Sequence, residues 1–360
     1  MNGVSTSAYQ PARLVALATA VPEFEIDQIV AADRARDCFG SRMRDYDRLA
    51  RVFVSTGIER RFSVRPLEWL IEPHGWHERT EAYLEGACAL YERVVEQALA
   101  SAGIDPGEID AVVSVSSTGI ATPSLGARVL PRMGFRPQTY RIPVFGLGCA
   151  GGVSGLALGA RLATTHPKTT VLMVTVELCT LAFRLDRATK ADVIAASLFG
   201  DGAAAAILSN DERYRPIANV VGATEHQWPK TLDIMGWQTD DVGFGVVLSR
   251  SLPTFIARNY RATFEAACQR MGLADAGAGR VVCHPGGTRV LDAIESALGV
   301  ATGALDHERT IMRDFGNMSA PTVIFVLERV IQAALPKRAT LAALGPGFTA
   351  SFLALDAVAG

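Results

Sequence analysis

Apolar and polar positions fall into blocks along this chain, and the blocks predict its elements. LVALATAVP (14–22) reads as a first core strand. It follows Arg13 and so mimics a short secretory h-region, but the acidic FEID after it, with no small-residue cleavage pattern, favours the strand. Over 78–103, Tyr83, Leu84, Ala87, Leu90, Val94, Ala98 and Leu99 recur at helical spacing, and Gly103 is a natural stop. IDAVVSVSSTG (109–119), TTVLMVTVELC (169–179) and AAAAILSND (203–211) read as buried strands. AGGVSGLALGARLATTH, after Cys149, reads as a helix. From about 215 the theme repeats. A helix near 252–272 precedes the strand GRVVCHPGG (279–287), the helix TRVLDAIESAL and the helix APTVIFVLERVIQAAL (320–335). TLAALGPGFTASFLALD then reads as two strands joined through glycines. Strand and helix alternate, which predicts an α/β class with halves 1–214 and 215–360 sharing one packed interface.

Composition narrows the class. Of 360 residues, 49% are hydrophobic and 20% charged, enough for a large buried core. A net charge of −2 gives no bulk attraction to nucleic acid. No uninterrupted apolar run reaches the ~18 residues of a membrane span. Six cysteines with no C-x-x-C pair suggest reduced thiols and a cytoplasmic protein. Nine arginines lie between 28 and 65, partly offset by acids. They form either a solvated helical face or a cationic rim for a phosphate-bearing ligand.

Three strand or loop ends carry candidate chemistry. Cys149 falls between a strand and a glycine-rich helix. A helix N-terminus favours thiolate, and Gly148, Gly151 and Gly152 permit close approach. His284, in CHPGG, has the placement to hold that thiolate as an ion pair. Asn317, in FGNMSAPT, is either a helix cap or an uncharged donor to an oxyanion. They lie too far apart in sequence for any local motif to unite them. HGWH (74–77) resembles a metal pair only superficially, having no further ligand nearby.

The set GCAGG, FGDGAAAA, HPGG, GNMSAPT and GPGF, with GIERRF near the start, resembles the type III polyketide synthases, the chalcone-synthase-like branch of the thiolase superfamily. The resemblance implies a five-layered αβαβα thiolase fold, internally duplicated, and a homodimer. It implies Cys149 as the acyl-carrying nucleophile, and His284 with Asn317 as the pair that binds the malonyl thioester and stabilises the enolate left by decarboxylation. Phe199 resembles the gatekeeper between a coenzyme A tunnel and the cavity, and Arg48 and Arg51 resemble contacts to coenzyme A phosphates. Asp201 and Gly202 read as support for the fold. Ser319 is carried over as a substrate-binding position. Coenzyme A thioesters are then the substrates, with no metal or other cofactor.

Departures from the plant enzymes concern the cavity. Ser55 replaces a usual third basic residue, and Thr122 a methionine that reaches across the dimer. Cys179 and Ala182 stand where threonines are usual, Leu181 where a valine is, and Val246 where a second phenylalanine is. Ser117 and Thr118 form the opposite wall. CAGG and DIMGWQTDDVGF have the bacterial form. The smaller wall at Ala182 and Val246 predicts room for an acyl tail, at ~0.8 kcal/mol per buried CH₂. The expected starters are medium- or long-chain fatty acyl-CoAs, and the expected products alkylpyrones or alkylresorcinols. A malonyl-CoA-only phloroglucinol or tetrahydroxynaphthalene synthase is the alternative product class. A ketoacyl synthase III would share Cys, His and Asn, but HPGG and GPGF argue against it. A non-catalytic thiolase-fold protein would be expected to lack one of the three.

Overall fold

A computed structural model describes residues 10–273 and 279–358. The described strands are β1 (Arg13–Ala20), β2 (Phe24–Asp27), β3 (Arg60–Ser63), β4 (Ala111–Val115), β5 (Tyr140–Val144), β6 (Thr170–Leu178), β7 (Asp201–Ser209), β8 (Ala218–Gln227), β9 (Met235–Thr239), β10 (Phe244–Leu248), β11 (Arg280–Cys283), β12 (Arg338–Gly345) and β13 (Thr349–Ala357). The helices are α1 (Gln28–Phe39), α2 (Tyr46–Ala50), α3 (Val52–Ser55), α4 (Leu67–Leu70), α5 (Trp76–Ala102), α6 (Leu125–Val129), α7 (Gly151–Ala163), α8 (Lys190–Leu198), α9 (Leu252–Arg270), α10 (Thr288–Leu298), α11 (Asp306–Phe315) and α12 (Thr322–Ala334).

Nine strands run in the order β11-β12-β13-β8-β1-β7-β6-β4-β5. In the first half β4 pairs parallel with β5 and β6, and β6–β7–β1 continue antiparallel. The second half echoes this: β11–β12 is parallel, and β12–β13–β8 antiparallel. The expected halves are hydrogen-bonded edge to edge, because β1 and β8 exchange a short stretch at Arg13↔Asn219 and Leu14↔Ala218.

Strand side chains alternate between faces, so a strand buried on both sides serves two layers. Val112 and Leu172 face Leu90 and Val94 of α5. Their neighbours Val113 and Met173 face the opposite way, into a core shared with Val153 and Leu156 of α7 and with Val323 and Leu327 of α12. Leu341 and Leu353 close that core from the second half. Ala342 and Phe352, one residue on, join Phe264 of α9 and Ile294 of α10. The layers are therefore helix, sheet, helix, sheet, helix, the expected αβαβα order.

The middle layer sets the tightest condition. Ten of the thirteen residues of α7 are buried. A Cβ on Gly152 would lie 2.3 Å from the Ala320 carbonyl oxygen, and one on Gly155 2.9 Å from Val115 Cγ2. Glycine brings α12 and the sheet up against the backbone of α7. At the other extreme, α5 runs 27 residues and ends where Gly103 turns left-handed.

Beside these layers, β9 and β10 form a separate two-stranded hairpin. Its tip is held by polar contacts. Arg184 Nη1 donates to Asp240 at 2.6 Å, and Trp76 Nε1 donates to the Asp240 carbonyl at 2.9 Å. Arg79 Nη1 donates to the Phe183 carbonyl at 2.8 Å, fixing the segment that carries Arg184.

Candidate active site

Cys149 sits in a single 3₁₀ turn, Gly148–Ala150, directly before α7. The turn needs Gly148. Its φ is +48°, and a Cβ there would lie 2.7 Å from Pro346 Cδ. Ser117 holds the turn from the far side: its Oγ accepts from the amides of Gly146 and Gly148 at 3.1 and 3.2 Å.

Asn317 follows Gly316, whose φ of +68° and close contact with Arg61 exclude a side chain. Its amide donates to the Leu198 carbonyl at 2.9 Å, and its carbonyl accepts from Gly200 at 3.0 Å. These bonds make an isolated parallel bridge between Phe199 and Asn317. Asn317 Oδ1 accepts from the Ser319 amide at 2.8 Å, which leaves the Nδ2 end of the side chain as the donor. The Ser319 side chain bonds to Cys149. The expected helix-cap role is not the one observed, since α12 begins at Thr322 and Thr322 Oγ1 bonds the Met318 amide.

His284 directly follows β11, and its amide donates to the Ala342 carbonyl at 2.8 Å. Ala342 lies on β12, the strand leading to Gly345, where a Cβ would come within 2.6 Å of the Ala150 Cβ. The same loop carries Gly287, whose Cβ position is 4.0 Å from Leu198. Cys149, His284 and Asn317 thus lie on adjoining loops at one end of the layers.

All three are buried, at 8%, 4% and 3% exposure. Burial governs the charge states. It pushes the Cys149 thiol up to about 12, with Ser319 pulling the other way. It pushes the His284 imidazole down to about 3, and neither ring nitrogen has a hydrogen-bond partner among the described residues. Burial therefore works against the expected thiolate–imidazolium pair. Desolvation opposes both charges, and it outweighs the start of α7.

The remaining wall residues divide. Cys179, Ala182, Phe199 and Val246 line one apolar cavity of about 60 Å³, with Ile26, Leu67 and Leu70 behind them. Leu181 instead packs in the core beneath α5 and does not line that cavity. Thr118 and Ser117 bind Glu177, which the sequence reading missed. Both carboxylate oxygens accept from the Ser117 amide, at 3.1 and 3.0 Å, and Thr118 Oγ1 donates at 2.8 Å. The available signal was one acid inside TTVLMVTVELC. Asp201 supports the fold as expected, accepting from Val64 and Thr180. Arg48 is exposed and pairs with Asp45 at 2.8 Å, and Arg51 is exposed at the start of α3. Thr288 Oγ1 donates to the Thr56 carbonyl at 2.6 Å, so this arginine segment abuts the loop of His284. His74 bonds Glu78 and the Trp69 carbonyl, and no metal-ligand cluster occurs among the described residues.

Comparison with known proteins agrees across the chain. A family model for FAE1/type III polyketide synthase-like proteins matches residues 19–268, and one for the C-terminal domain of chalcone and stilbene synthases matches 219–359. A putative chalcone synthase of Bacillus subtilis is 34% identical over 94% of this chain and 97% of its own. A 1,3,6,8-tetrahydroxynaphthalene synthase of Streptomyces peucetius is 35% identical over 95% and 92%. The crystal structure of the Streptomyces coelicolor tetrahydroxynaphthalene synthase superposes with a TM-score of 0.91 at 26% identity, covering 97% of this chain and all of that one.

Glu177 gives a stability test. Burial raises its carboxyl to about 8 in the fold, from an ordinary 4.5. The unfolded chain therefore releases this proton first, and the carboxyl's contribution to stability is lost as pH rises from about 5 to about 8. Thermal unfolding should show Glu177→Gln gaining on the wild type by several °C across that window. A constant difference would show that Glu177 ionises normally.

Proposed function

The chain belongs to the type III polyketide synthases, acyltransferases that join acyl units from coenzyme A thioesters, and from that premise we propose its catalytic scheme and substrates. Cys149 Sγ attacks the starter thioester, passing its proton to His284, which hands it to the departing coenzyme A thiolate and is neutral again. Malonyl-CoA then sets its thioester oxygen against an N–H of neutral His284 and the Nδ2–H of Asn317. Carbon dioxide leaves, and the enolate oxygen is stabilised by both donors, roughly 3 kcal/mol each. The carbanion attacks the acyl carbonyl on Cys149, Sγ departs, and the lengthened chain is recaptured for the next cycle. Each extension consumes one malonyl-CoA and releases one carbon dioxide and one coenzyme A. No metal or redox cofactor enters the scheme. The observation that carries it is the buried imidazole of His284 with both nitrogens unpartnered, since an unmet buried donor is costly unless a ligand satisfies it.

The starter we propose is a medium- or long-chain fatty acyl group, cyclised to alkylpyrones or alkylresorcinols. The cavity at Cys179, Ala182, Phe199 and Val246 is apolar, but its 60 Å³ takes only a few carbons. A second apolar groove of about 380 Å³, lined by Tyr83, Ile120, Leu125, Phe145 and Val176, lies beside the Ser117 loop and belongs to the surface assigned below to the dimer. The small size of the first cavity favours the alternative, in which malonyl-CoA also supplies the starter. Names among the relatives fall on both sides: tetrahydroxynaphthalene synthases and an alpha-pyrone synthase of Mycobacterium tuberculosis. Phe199 guards the approach of coenzyme A, whose phosphates meet Arg48 and Arg51. A homodimer is proposed at β5, the outer strand of the sheet, where Ile120, Tyr140 and Phe145 are exposed apolar residues. The free cysteines and the lack of a helix long and apolar enough to cross a membrane, among the described residues, agree with a cytoplasmic site of action.

Three measurements test this. Mass spectrometry of products from malonyl-CoA with C2–C18 acyl-CoAs should give tri- and tetraketides of C10–C18 starters, all absent in Cys149→Ala. An aromatic product from malonyl-CoA alone would replace the starter assignment. His284→Gln keeps a neutral N–H donor and should retain more malonyl-CoA decarboxylation than His284→Ala, by about tenfold or more. Equal losses would mean that His284 acts as a charge. Sedimentation should give twice the monomer mass, and a monomer at micromolar concentration would overturn the dimer.

A further inference from the structure

Two features of the sequence have no part in the scheme above: the second arginine of GIERRF and the acid of FGDG. The fold brings both behind the Phe199–Asn317 bridge. Arg61, on β3, is 4% exposed. Its Nη1 donates to the carbonyls of Ala196 and Phe199 at 2.7 and 2.8 Å, at the C-terminal end of α8. A cation is well placed there, because the last carbonyls of a helix carry partial negative charge. Its Nε has no hydrogen-bond partner among the described residues. Asp201 supplies countercharge, while its own oxygens hold Val64 and Thr180.

The aliphatic stem of Arg61 reaches the other side of the bridge. A Cβ on Gly316 would lie 2.7 Å from Arg61 Cγ and 2.9 Å from the Leu198 carbonyl oxygen. One on Gly200 would lie 3.4 Å from Arg61 Cβ and 2.8 Å from the Phe315 carbonyl oxygen. Gly316 precedes Asn317, and Gly200 follows Phe199. One side chain therefore grips the Phe199 segment by hydrogen bonds and the Asn317 segment by packing. A buried guanidinium is expensive to desolvate, and an apolar residue would fill the same space at less cost. What the apolar residue would lack is the pair of directed bonds that set the height of the Phe199 carbonyl.

We propose that Arg61 is a positioning residue for decarboxylation: it fixes the Phe199–Asn317 bridge and, through it, the aim of the Asn317 amide. The proposal rests on the assignment of Asn317 as an oxyanion donor. A donor displaced by about 1 Å costs on the order of 100-fold in rate, so the effect should be large at that step and small at others. Starter loading needs Cys149, whose turn Ser117 and Pro346 hold, and His284, which hangs from Ala342; the hydrogen bonds of Arg61 reach neither.

The test uses the full-length enzyme and two readouts: carbon dioxide release from malonyl-CoA, and the rate at which acyl-CoA acylates Cys149 by intact-protein mass spectrometry. Arg61→Met should lower kcat for decarboxylation by about 10- to 100-fold, with KM for malonyl-CoA and the acylation rate within about threefold of wild type. Arg61→Lys should recover part of the loss, and it carries the test if Arg61→Met does not fold. Adding Asn317→Ala to Arg61→Lys should cost no more than Asn317→Ala alone, since both act through one donor. Equal losses in acylation and decarboxylation, or additive losses in the double variant, would overturn the proposal. If Asn317→Ala is defective while Arg61→Met and Arg61→Lys are not, this proposal alone falls. If Asn317→Ala decarboxylates normally, the assignment of Asn317 falls and this proposal with it.

Discussion

A helix that meets a β-sheet on each side must be apolar all round and narrow enough for both sheets to reach it, and α7 meets both conditions. Its glycines let the Ala320 segment ahead of α12 and Val115 of β4 approach its backbone, so a partner helix and a sheet close directly on it. Everything catalytic follows from where that helix starts. A central helix begins in the interior, so the residue just before it is buried before any substrate arrives. The reactive thiol and its neighbours are in consequence held in a dry place, where donors act strongly and isolated charges are penalised.

That burial weighs against charge on both the thiol and the imidazole. Position at the start of a helix argues for thiolate, and the sequence makes that position visible. Depth does not show in the residues around Cys149, and depth decides. Ser319 and the amides near Cys149 lower the cost of a thiolate without removing it. The same depth pushes His284 toward its neutral form and leaves its ring nitrogens unpartnered among the described residues, which suits a neutral hydrogen-bond donor better than a fixed cation.

The longer elements were legible because strand and helix periods differ and because several blocks ended at glycine or proline, as at Gly103, Gly299 and Pro336. α10, predicted as TRVLDAIESAL, occupies Thr288–Leu298. The continuous order of nine strands was not legible, since the β1–β8 junction is two residue pairs between segments some 200 positions apart. The three proposed catalytic residues were visible as motifs, but local pattern could not unite them: their loops meet through β12, the Leu198 segment and the contact of Ala320 with Gly152. Leu181 was misplaced because, in a short 3₁₀ turn, its side chain points back toward α5 while Ala182 faces the cavity. Glu177 was overlooked because a strand rich in valine and leucine draws attention to its apolar residues, and one carboxylate at its end reads as an edge.

The hairpin β9–β10 contributes Val246 to the cavity and Trp237 beside Phe199, yet it is no part of the nine-stranded sheet. It is pinned chiefly at its tip, by the polar contacts of Asp240. Its inner face can therefore vary in side-chain volume while the strands that carry the nucleophile and the oxyanion donors keep their register. The shape of this cavity wall and the aim of the proposed catalytic groups are in this way carried by separate parts of the chain.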